Sequence, residues 1–331
     1  MSIGSVPRGV VALGGGTGMP AVLRGLRSFV ANGDVNALTA VVAMTDDGGS
    51  SGRLRRSRNL PPPGDVRNCL VALSDEEDLL SGLFQHRYEG TGDLKGHTLG
   101  NLILAALSEQ TGSFMKAVEV SSRVLRTAGR ILPMTLDDVR LEAHLEDGTK
   151  VLGESDVAAC GKRIRAVSLR PADARPAPGV LEAIQEADLV VLGPGSLYTS
   201  LVPNLVVQGV GKALAATRGV VVLVANLVTE RGEAAGLDLA DHLAVVERHA
   251  GQPVVDAVLA HEGEIDEATL LRYEEEGTSP LTWGERGYGN VRVFRKNLLA
   301  PGPKLRHDPR ATAEGLIEAW ATLSVPQWMG P

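Results

Sequence analysis

The sequence predicts an α/β fold, Rossmann-like and doubly wound, with a mostly parallel sheet and helices on both faces. Two observations favour it. Short runs of Val, Ala and Leu alternate with amphipathic stretches, which is the pattern of β-α units on a parallel sheet. Glycine-rich or polar turns follow several of these runs, at the strand ends where open α/β sheets bind their ligands.

The individual strands and helices follow from the apolar pattern. Strands are expected where short apolar runs lead into turn residues, at residues 9–13, 38–44, 188–192, 220–225 and 254–260. Helices are expected where apolar residues recur at helical spacing, at residues 19–29, 100–107 and 113–127.

The middle of the chain has a different pattern. Residues 139–152 alternate apolar and polar side chains on either side of a Glu-Asp-Gly turn, which predicts a half-exposed β-hairpin. With residues 164–169, this hairpin forms a small antiparallel β excursion near residues 130–170. A length of 331 residues also suits two domains, but we predict one α/β domain over residues 1–331 that carries the excursion.

The composition argues against several classes of function. A net charge of −7 and an aromatic content of 3% are unlike a general nucleic-acid-binding protein. The amino terminus lacks an apolar signal segment and no run approaches the length of a membrane span, so we expect a cytoplasmic protein. Cys69 and Cys160 lack metal-ligand spacing, and we expect both to be reduced thiols.

A glycine-rich turn follows the first predicted strand. Residues 16–21 match the pattern GxGxxA before a helix, and backbone N–H groups in such turns bind phosphates. The acidic residue that a nicotinamide ribose requires is missing, so an oxidoreductase is disfavoured and no redox cofactor is expected. A tight turn without a ligand is the alternative. The residues expected to contact a phosphate are Gly14, Gly15, Gly16, Thr17 and Gly18.

Acidic and basic residues follow the second predicted strand. Asp46, Asp47 and Asp65 lie close together in the sequence, and magnesium usually takes one or two carboxylates beside water and phosphate. Gly-Gly and Ser-Gly pairs begin the segment between them, which predicts a mobile phosphate-contacting loop. An acidic turn followed by a solvated basic segment is the alternative. The arginines of this segment are Arg53, Arg55, Arg56 and Arg58.

Polar residues occur at three further predicted strand or helix ends. Thr98 is placed to cap the helix that follows it, with His97 and Asn101 beside a helix end that attracts anions. A cap with an ordinary surface histidine is an equally good interpretation. Polar residues also follow two other predicted strands, and these residues are Gly193, Gly195, Ser196 and Asn226. The segment with Ser196 does not match a GxSxG nucleophile turn.

The carboxyl-terminal run Arg306-His307-Asp308 precedes a helical pattern at residues 310–323. This spacing predicts that Asp308 caps the helix and that Arg306 lies beside the ligand. A capped terminal helix with an exposed arginine is the alternative.

Six short motifs occur in order along nearly the whole chain. They are GGGTG (14–18), TDDGGSSGRLRR (45–56), PPGDVRNCL (62–70), GHTLGN (96–101), LGPGSLYTS (192–200) and RHD (306–308). Together they resemble the gluconeogenesis factor family (YvcK-like), within the superfamily of the 2-phospho-L-lactate transferases (CofD-like). Pro309 follows the last motif, where a phosphorylatable threonine can follow in relatives, so kinase regulation is not carried over.

The resemblance implies a cytoplasmic regulator that binds UDP-N-acetylglucosamine and links gluconeogenic growth to cell-wall precursor synthesis and cell shape. An enzyme of amino-sugar synthesis and further copies of this chain are the protein partners to expect, without nucleic acid. The alternative is a magnesium-dependent 2-phospho-L-lactate-type transferase acting on a nucleoside diphosphate conjugate. By motif, its magnesium positions fall on Asp47 and Asp65. No catalytic residue is assigned; the other expected nucleotide-binding residues are Asp46, Ser50, Arg53, Asn68, His97, Asn101, Asn226 and Arg306.

Overall fold

The computed structural model of the protein describes residues 6–74, 79–229, 233–283 and 287–324. Aliphatic runs form most strands, because a parallel sheet is covered on both faces. The strands are β1 (Gly9–Gly14), β2 (Ala37–Val42), β3 (Arg130–Pro133), β4 (Arg140–Leu145), β5 (Lys150–Leu152), β6 (Ile164–Arg170), β7 (Leu189–Leu192), β8 (Val220–Val224), β9 (Val228–Thr229), β10 (Ala257–His261), β11 (Ser279–Pro280) and β12 (Arg292–Lys296).

The helices connect these strands. They are α1 (Met19–Ala31), α2 (Gly49–Arg58), α3 (Gly64–Leu73), α4 (Leu79–Gln85), α5 (Leu99–Thr111), α6 (Phe114–Val124), α7 (Glu154–Ala159), α8 (Val180–Glu186), α9 (Val202–Leu205), α10 (Val210–Ala216), α11 (Leu239–Ala250), α12 (Glu267–Glu275) and α13 (Pro309–Ser324), with a π-helical turn at Leu197–Leu201. Among the described residues, no helix has the length and apolarity needed to cross a membrane.

The main sheet confirms the predicted doubly wound fold. Within the described ranges it has seven parallel strands in the order β12-β10-β8-β7-β1-β2-β3. The chain moves outward from β1 to β3 and then outward on the other side of β1 from β7 to β12, so the strand order reverses between β1 and β7. Leu13 lies opposite both Val41 and Leu192, so the turns after β1, β2 and β7 begin at nearly the same level.

The antiparallel excursion is also confirmed, over a shorter range than predicted. Strand β4 pairs with β5 and β6 in an antiparallel sheet that begins at Arg140. Residues 130–133 instead form β3 at the edge of the main sheet. Strand β3 has only four residues, which is too short for its apolar pattern to be recognised. At the opposite edge of the sheet, β12 carries charged side chains, so its sequence lacks the apolar run that predicts a strand.

The prediction of a mobile loop after Asp47 is wrong, because residues 49–58 form α2. The N–H group of Gly52 donates to the Gly48 carbonyl at 2.8 Å, and a Cβ atom on Gly52 would overlap the Asp47 carbonyl oxygen. Buried Leu54 packs in a small apolar cluster with Leu60. The glycines therefore allow close packing of a helix here rather than flexibility.

Helices α1 and α13 pack closely at Gly25. A Cβ atom at this position would overlap the carbonyl oxygen of Pro309, and the β-carbon of Ala313 lies 2.9 Å from it. Because Pro309 is the first residue of α13, this contact holds the carboxyl-terminal helix against the helix that follows β1.

We predict that Gly25→Ala lowers the free energy of unfolding by about 1–3 kcal/mol, since the added methyl group forces the two helices apart. Urea denaturation of the purified variant measures the change. The matched control is Gly82→Ala in α4, where nothing lies within 4 Å of the new Cβ atom. A helical alanine in that open position should leave stability unchanged or raise it by up to about 1 kcal/mol. Equal stabilities of the two variants would contradict the proposed contact.

Candidate functional site

The main cavity of the candidate site lies where the strand order reverses. It has a volume of about 370 Å³ and is bordered by the turn after β1, the turn after β7 and the segment that precedes α13. Open α/β sheets bind ligands at this position. A groove of about 450 Å³ lies at the other ends of β8 and β10. We assign function to the first cavity because ligands of such sheets bind at the carboxyl ends of strands.

Six of the predicted nucleotide-binding residues line the main cavity, together with residues that the sequence analysis did not select. Arg24 of α1, Gln85 of α4 and His307 are the polar additions. None of these three lies in a glycine-rich turn, so the motifs gave no reason to choose Arg24 or Gln85. The six predicted residues are Thr17, Gly18, Asn68, Gly195, Asn226 and Arg306.

The turn after β1 is held by side chains from elsewhere in the chain. The Gly16 N–H donates to Asp65 Oδ2 at 2.7 Å, and Gly16 has a left-handed φ of 62° that glycine adopts readily. A Cβ atom on Gly15 would lie 2.7 Å from the same carboxylate oxygen. In the described part of the chain, no group accepts a hydrogen bond from the N–H groups of Thr17 and Gly18. A phosphate would therefore meet these two N–H groups at the start of α1.

The turn after β7 is fixed by Asn226. The Gly195 N–H donates to Asn226 Oδ1 at 3.0 Å, and Asn226 Nδ2 donates to the Gly195 carbonyl at 2.8 Å. A Cβ atom on Gly193 would lie 3.0 Å from the sulfur of Met19, which is also the nearest atom to a Cβ on Gly14. The Ser196 carbonyl accepts N–H groups of the π-helical turn. These glycines are therefore explained by packing, and their roles as ligands stay predictions.

The three predicted aspartates lie near one another, together with Glu154. Burial and the charge of Asp46 raise the pKa of Asp65 to about 6. Asp47 caps α7, since its two oxygens accept the N–H groups of Glu154 at 3.1 Å and Ser155 at 2.9 Å. Burial and the charges of the three aspartates raise the pKa of Glu154 to about 8. No sequence pattern indicated Glu154, because it is distant in the chain from the aspartates and belongs to none of the motifs.

This acidic group suits a magnesium ion that binds together with phosphate. Carboxyl groups that raise one another's pKa favour a cation between them. Within residues 6–74, 79–229, 233–283 and 287–324, no three His, Cys, Asp or Glu side chains are arranged to hold a metal. One or two carboxylates are enough when water and phosphate supply the other ligands. Asp46 and Asp65 each accept a backbone N–H group on one carboxylate oxygen, so the other oxygen of each would hold such an ion. Both oxygens of Asp47 accept backbone N–H groups, and its predicted role as a metal ligand stays a prediction.

Ser50, His97 and Asn101 form a buried hydrogen-bonded cluster beside the acidic group. Ser50 Oγ lies 2.9 Å from His97 Nδ1, and Asn101 Nδ2 donates to Ser50 Oγ at 3.1 Å. Burial and the charge of Arg53 lower the pKa of His97. The structure thus brings these predicted residues together, but away from the wall of the main cavity.

Arg67 connects this cluster to the main cavity. Its Nη1 atom donates to Thr98 Oγ1 at 2.5 Å and to Asn101 Oδ1 at 3.4 Å, and Nη2 donates to Asn68 Oδ1 at 2.5 Å. Thr98 occupies the cap position of α5, but its hydroxyl does not cap the helix as predicted, because it binds Arg67 instead. Arg67 belongs to the PPGDVRNCL motif, and that motif is the signal that identified its neighbours.

The arginines of α2 contact other parts of the chain, and their predicted phosphate contacts stay predictions. Arg55 pairs with Asp138 at 2.5 Å, and Arg58 pairs with Glu109 at 3.4 Å. Arg53 Nη2 donates to the Lys95 carbonyl at 2.6 Å. Their partners are distant in the sequence, which is why the local run suggested unpaired cations.

The segment before α13 is anchored by His307. Burial lowers the pKa of His307 to about 4, so the ring is neutral and its Nε2 atom donates to the Ala225 carbonyl at 3.0 Å. Asp308 Oδ1 accepts the Ala311 N–H at 2.7 Å, which confirms the predicted cap of α13. These two contacts hold Arg306 at the wall of the main cavity.

The fold and the cavity define the class of protein: an open α/β protein with a cavity at the reversal point of its sheet. The model of the family described as 2-phospho-L-lactate transferase CofD matches residues 10–299. The gluconeogenesis factor of Halalkalibacterium halodurans is 42% identical over 316 residues, covering 94% of this chain and 96% of that protein. The gluconeogenesis factor of Bacillus subtilis is 40% identical over 319 residues, covering 96% and 99%.

A crystal structure of a Bacillus halodurans protein superimposes with a TM-score of 0.89 at 41% identity, covering 93% of this chain and 99% of that one. The chain therefore belongs to the gluconeogenesis factor family, among the CofD-like proteins. The motif resemblance predicted this family, and the comparisons confirm it.

We predict that Asp65→Asn stabilises the protein at pH 8 in the absence of magnesium. The pKa of Asp65 in the folded state is about 6, above its ordinary value of 3.8. The folded protein therefore binds this proton more tightly than the unfolded chain, and stability is lost as the pH rises through about 6. Asparagine removes that loss and retains an oxygen that can accept the Gly16 N–H.

The melting temperatures of wild type and variant, measured in EDTA from pH 4 to pH 8, test this pKa shift. The advantage of the variant should shrink towards pH 4, where Asp65 is protonated in the folded state and partly protonated in the unfolded chain, whose pKa is about 3.8. Asp93→Asn, in an exposed loop, is the control and should follow the wild type at every pH. A variant that melts below the wild type at pH 8 would contradict the assignment.

Proposed function

We propose that this protein is a cytoplasmic regulator that binds UDP-N-acetylglucosamine in the main cavity. Its role would be to link gluconeogenic growth to cell-wall precursor synthesis and cell shape, and the names of its gluconeogenesis factor relatives support the first part. The observation that carries the proposal is the cavity itself, which combines the N–H groups of Thr17 and Gly18 with the guanidinium of Arg306. Donors of this kind at the start of a helix suit a diphosphate.

The acidic group beside the cavity supports a magnesium-dependent form of this binding. Asp65 accepts the Gly16 N–H, so its carboxylate lies next to the turn that would bind the phosphates. A magnesium ion at Asp46 and Asp65 would neutralise the buried carboxylates and the diphosphate together. We therefore expect the nucleotide sugar to bind more tightly with magnesium than in EDTA.

The residues of the cavity wall favour a protein that binds the nucleotide sugar without catalysing its reaction. His307 lines the cavity, but its Nε2 proton is donated to the Ala225 carbonyl and its pKa is about 4, so it is a poor general base at neutral pH. The regulator would act on a partner protein, for which we propose an enzyme of amino-sugar synthesis, and would self-associate.

A 2-phospho-L-lactate-type transferase is the second candidate, because the CofD family model matches most of the chain. The acidic group would serve that reaction equally well by holding magnesium on a nucleoside diphosphate conjugate. Release of nucleotide that depends on an added acceptor alcohol would identify the transferase. The regulator should bind UDP-N-acetylglucosamine without releasing nucleotide.

We predict that Arg306→Ala weakens the binding of UDP-N-acetylglucosamine by about 1.5–3 kcal/mol, the range for a hydrogen bond to a charged group. The loss corresponds to roughly a 10- to 150-fold rise in Kd, which isothermal titration calorimetry measures. Arg310→Ala is the matched control, since the Arg310 side chain is 87% exposed on α13 and pairs only with Glu314 among the described residues.

The Arg310→Ala control should bind UDP-N-acetylglucosamine with the Kd of the wild type. EDTA should raise this Kd for both the control and the wild type. A change below threefold for Arg306→Ala would remove Arg306 from the site. Equal or tighter binding of GDP or GTP by the wild type would favour the transferase over the regulator.

A further inference from the structure

The walls of the main cavity are positively charged. Arg24 and Arg306 are its basic side chains, and among the described residues that line it there is neither an aspartate nor a glutamate. His307 adds no charge at neutral pH, because burial lowers its pKa to about 4. The chain as a whole has a net charge of −7, so the positive wall is a local feature. Such a wall favours an anionic ligand, and the sequence motifs leave Arg24 without a role in it.

Arg24 lies on the side of α1 that borders the cavity. The lining residues of α1 and of the turn before it recur at spacings of three and four, which places them along one side of a helix; they are Thr17, Pro20, Ala21 and Arg24. Helical side chains lean towards the amino-terminal end of their helix, so Arg24 extends back towards Thr17 and Gly18. The two residues between them have no polar side-chain atoms. A ligand bound at the start of α1 would therefore meet the Arg24 guanidinium next.

The packing of α1 against α13 brings Arg24 close to the segment that carries Arg306. Gly25 follows Arg24 and packs against the Pro309 carbonyl, where a Cβ atom would overlap the oxygen. Pro309 also lines the main cavity and lies three residues after Arg306. The two arginines thus reach the cavity from adjoining segments. Arg24 is half-buried, so its charge is partly shielded from water and gains more from an anion than an exposed charge would.

We propose that Arg24 is a further ligand-binding residue, whose guanidinium binds the diphosphate of the nucleotide sugar together with Arg306. The inference rests on the proposed function, which places the diphosphate at the N–H groups of Thr17 and Gly18. Each phosphate of the pair carries negative charge, and a planar guanidinium offers paired N–H donors to phosphate oxygens. The hydroxyl groups of a sugar and the carbonyl groups of a base are uncharged and leave a second arginine unexplained.

The test uses two variants of Arg24. Arg24→Gln removes the charge and keeps a polar side chain, whereas Arg24→Lys keeps the charge and loses the paired donors. The matched control is Arg27→Gln, since Arg27 lies on the same helix, donates to the Ser74 carbonyl and is not a lining residue of the main cavity. Isothermal titration gives Kd for UDP-N-acetylglucosamine and for inorganic pyrophosphate with each protein. EDTA is present throughout, so that magnesium does not bind pyrophosphate in solution.

Arg24→Gln should raise Kd about tenfold for both ligands, because the diphosphate is the part that they share. Arg24→Lys should raise both values by a smaller factor, and it provides the comparison if the melting temperature shows that Arg24→Gln does not fold. The Arg27→Gln control should match the wild type.

Weaker binding of UDP-N-acetylglucosamine with unchanged binding of pyrophosphate would place Arg24 at the sugar or the base and overturn the inference. Unchanged binding of both ligands would also overturn it, as would an equal loss in the control, which would indicate a general effect of charge. Failure of the wild type to bind UDP-N-acetylglucosamine would instead refute the proposed function, so the two failures are distinguishable.

Discussion

The hydrogen bond from the Gly16 N–H to the Asp65 carboxylate, at 2.7 Å, is the contact on which the rest of the candidate site depends. It holds the turn after β1 in a left-handed conformation and ties it to α3, the helix that begins at Gly64. The same contact uses the Gly16 N–H, so the N–H groups of Thr17 and Gly18 remain to meet a phosphate. This contact buries the negative charge of Asp65, which is unfavourable. A cation that binds with the ligand would offset that unfavourable burial.

Helix α3 distributes three polar side chains from one turn to three parts of the site. Asp65 binds the turn after β1, Arg67 reaches Thr98 and Asn101 on α5, and Asn68 lines the main cavity. Because Arg67 also donates to Asn68, the cavity wall and the buried cluster around Ser50 belong to one hydrogen-bonded network. A ligand that contacts Asn68 would therefore meet a side chain that is connected through Arg67 and Asn101 to Ser50 of α2.

The central part of the fold could be predicted from the sequence, since the strands next to β1 are aliphatic runs buried on both faces. The edges could not. Strand β12 carries charged residues, and α2 contains glycine, serine and arginine with Leu54 as its one buried large apolar side chain. At the site, motifs selected residues in the turns, whereas Glu154 and Gln85 belong to it through tertiary contacts that have no local pattern.

In the proposed function, the cavity at the reversal point of the sheet binds a nucleotide sugar with its diphosphate at the start of α1. A crystal structure of the protein with UDP-N-acetylglucosamine and magnesium tests it most directly. We expect diphosphate oxygens within hydrogen-bonding distance of the N–H groups of Thr17 and Gly18, with the metal ion on Asp65. Density for the nucleotide in the groove at the opposite ends of β8 and β10, with the main cavity empty, would contradict it.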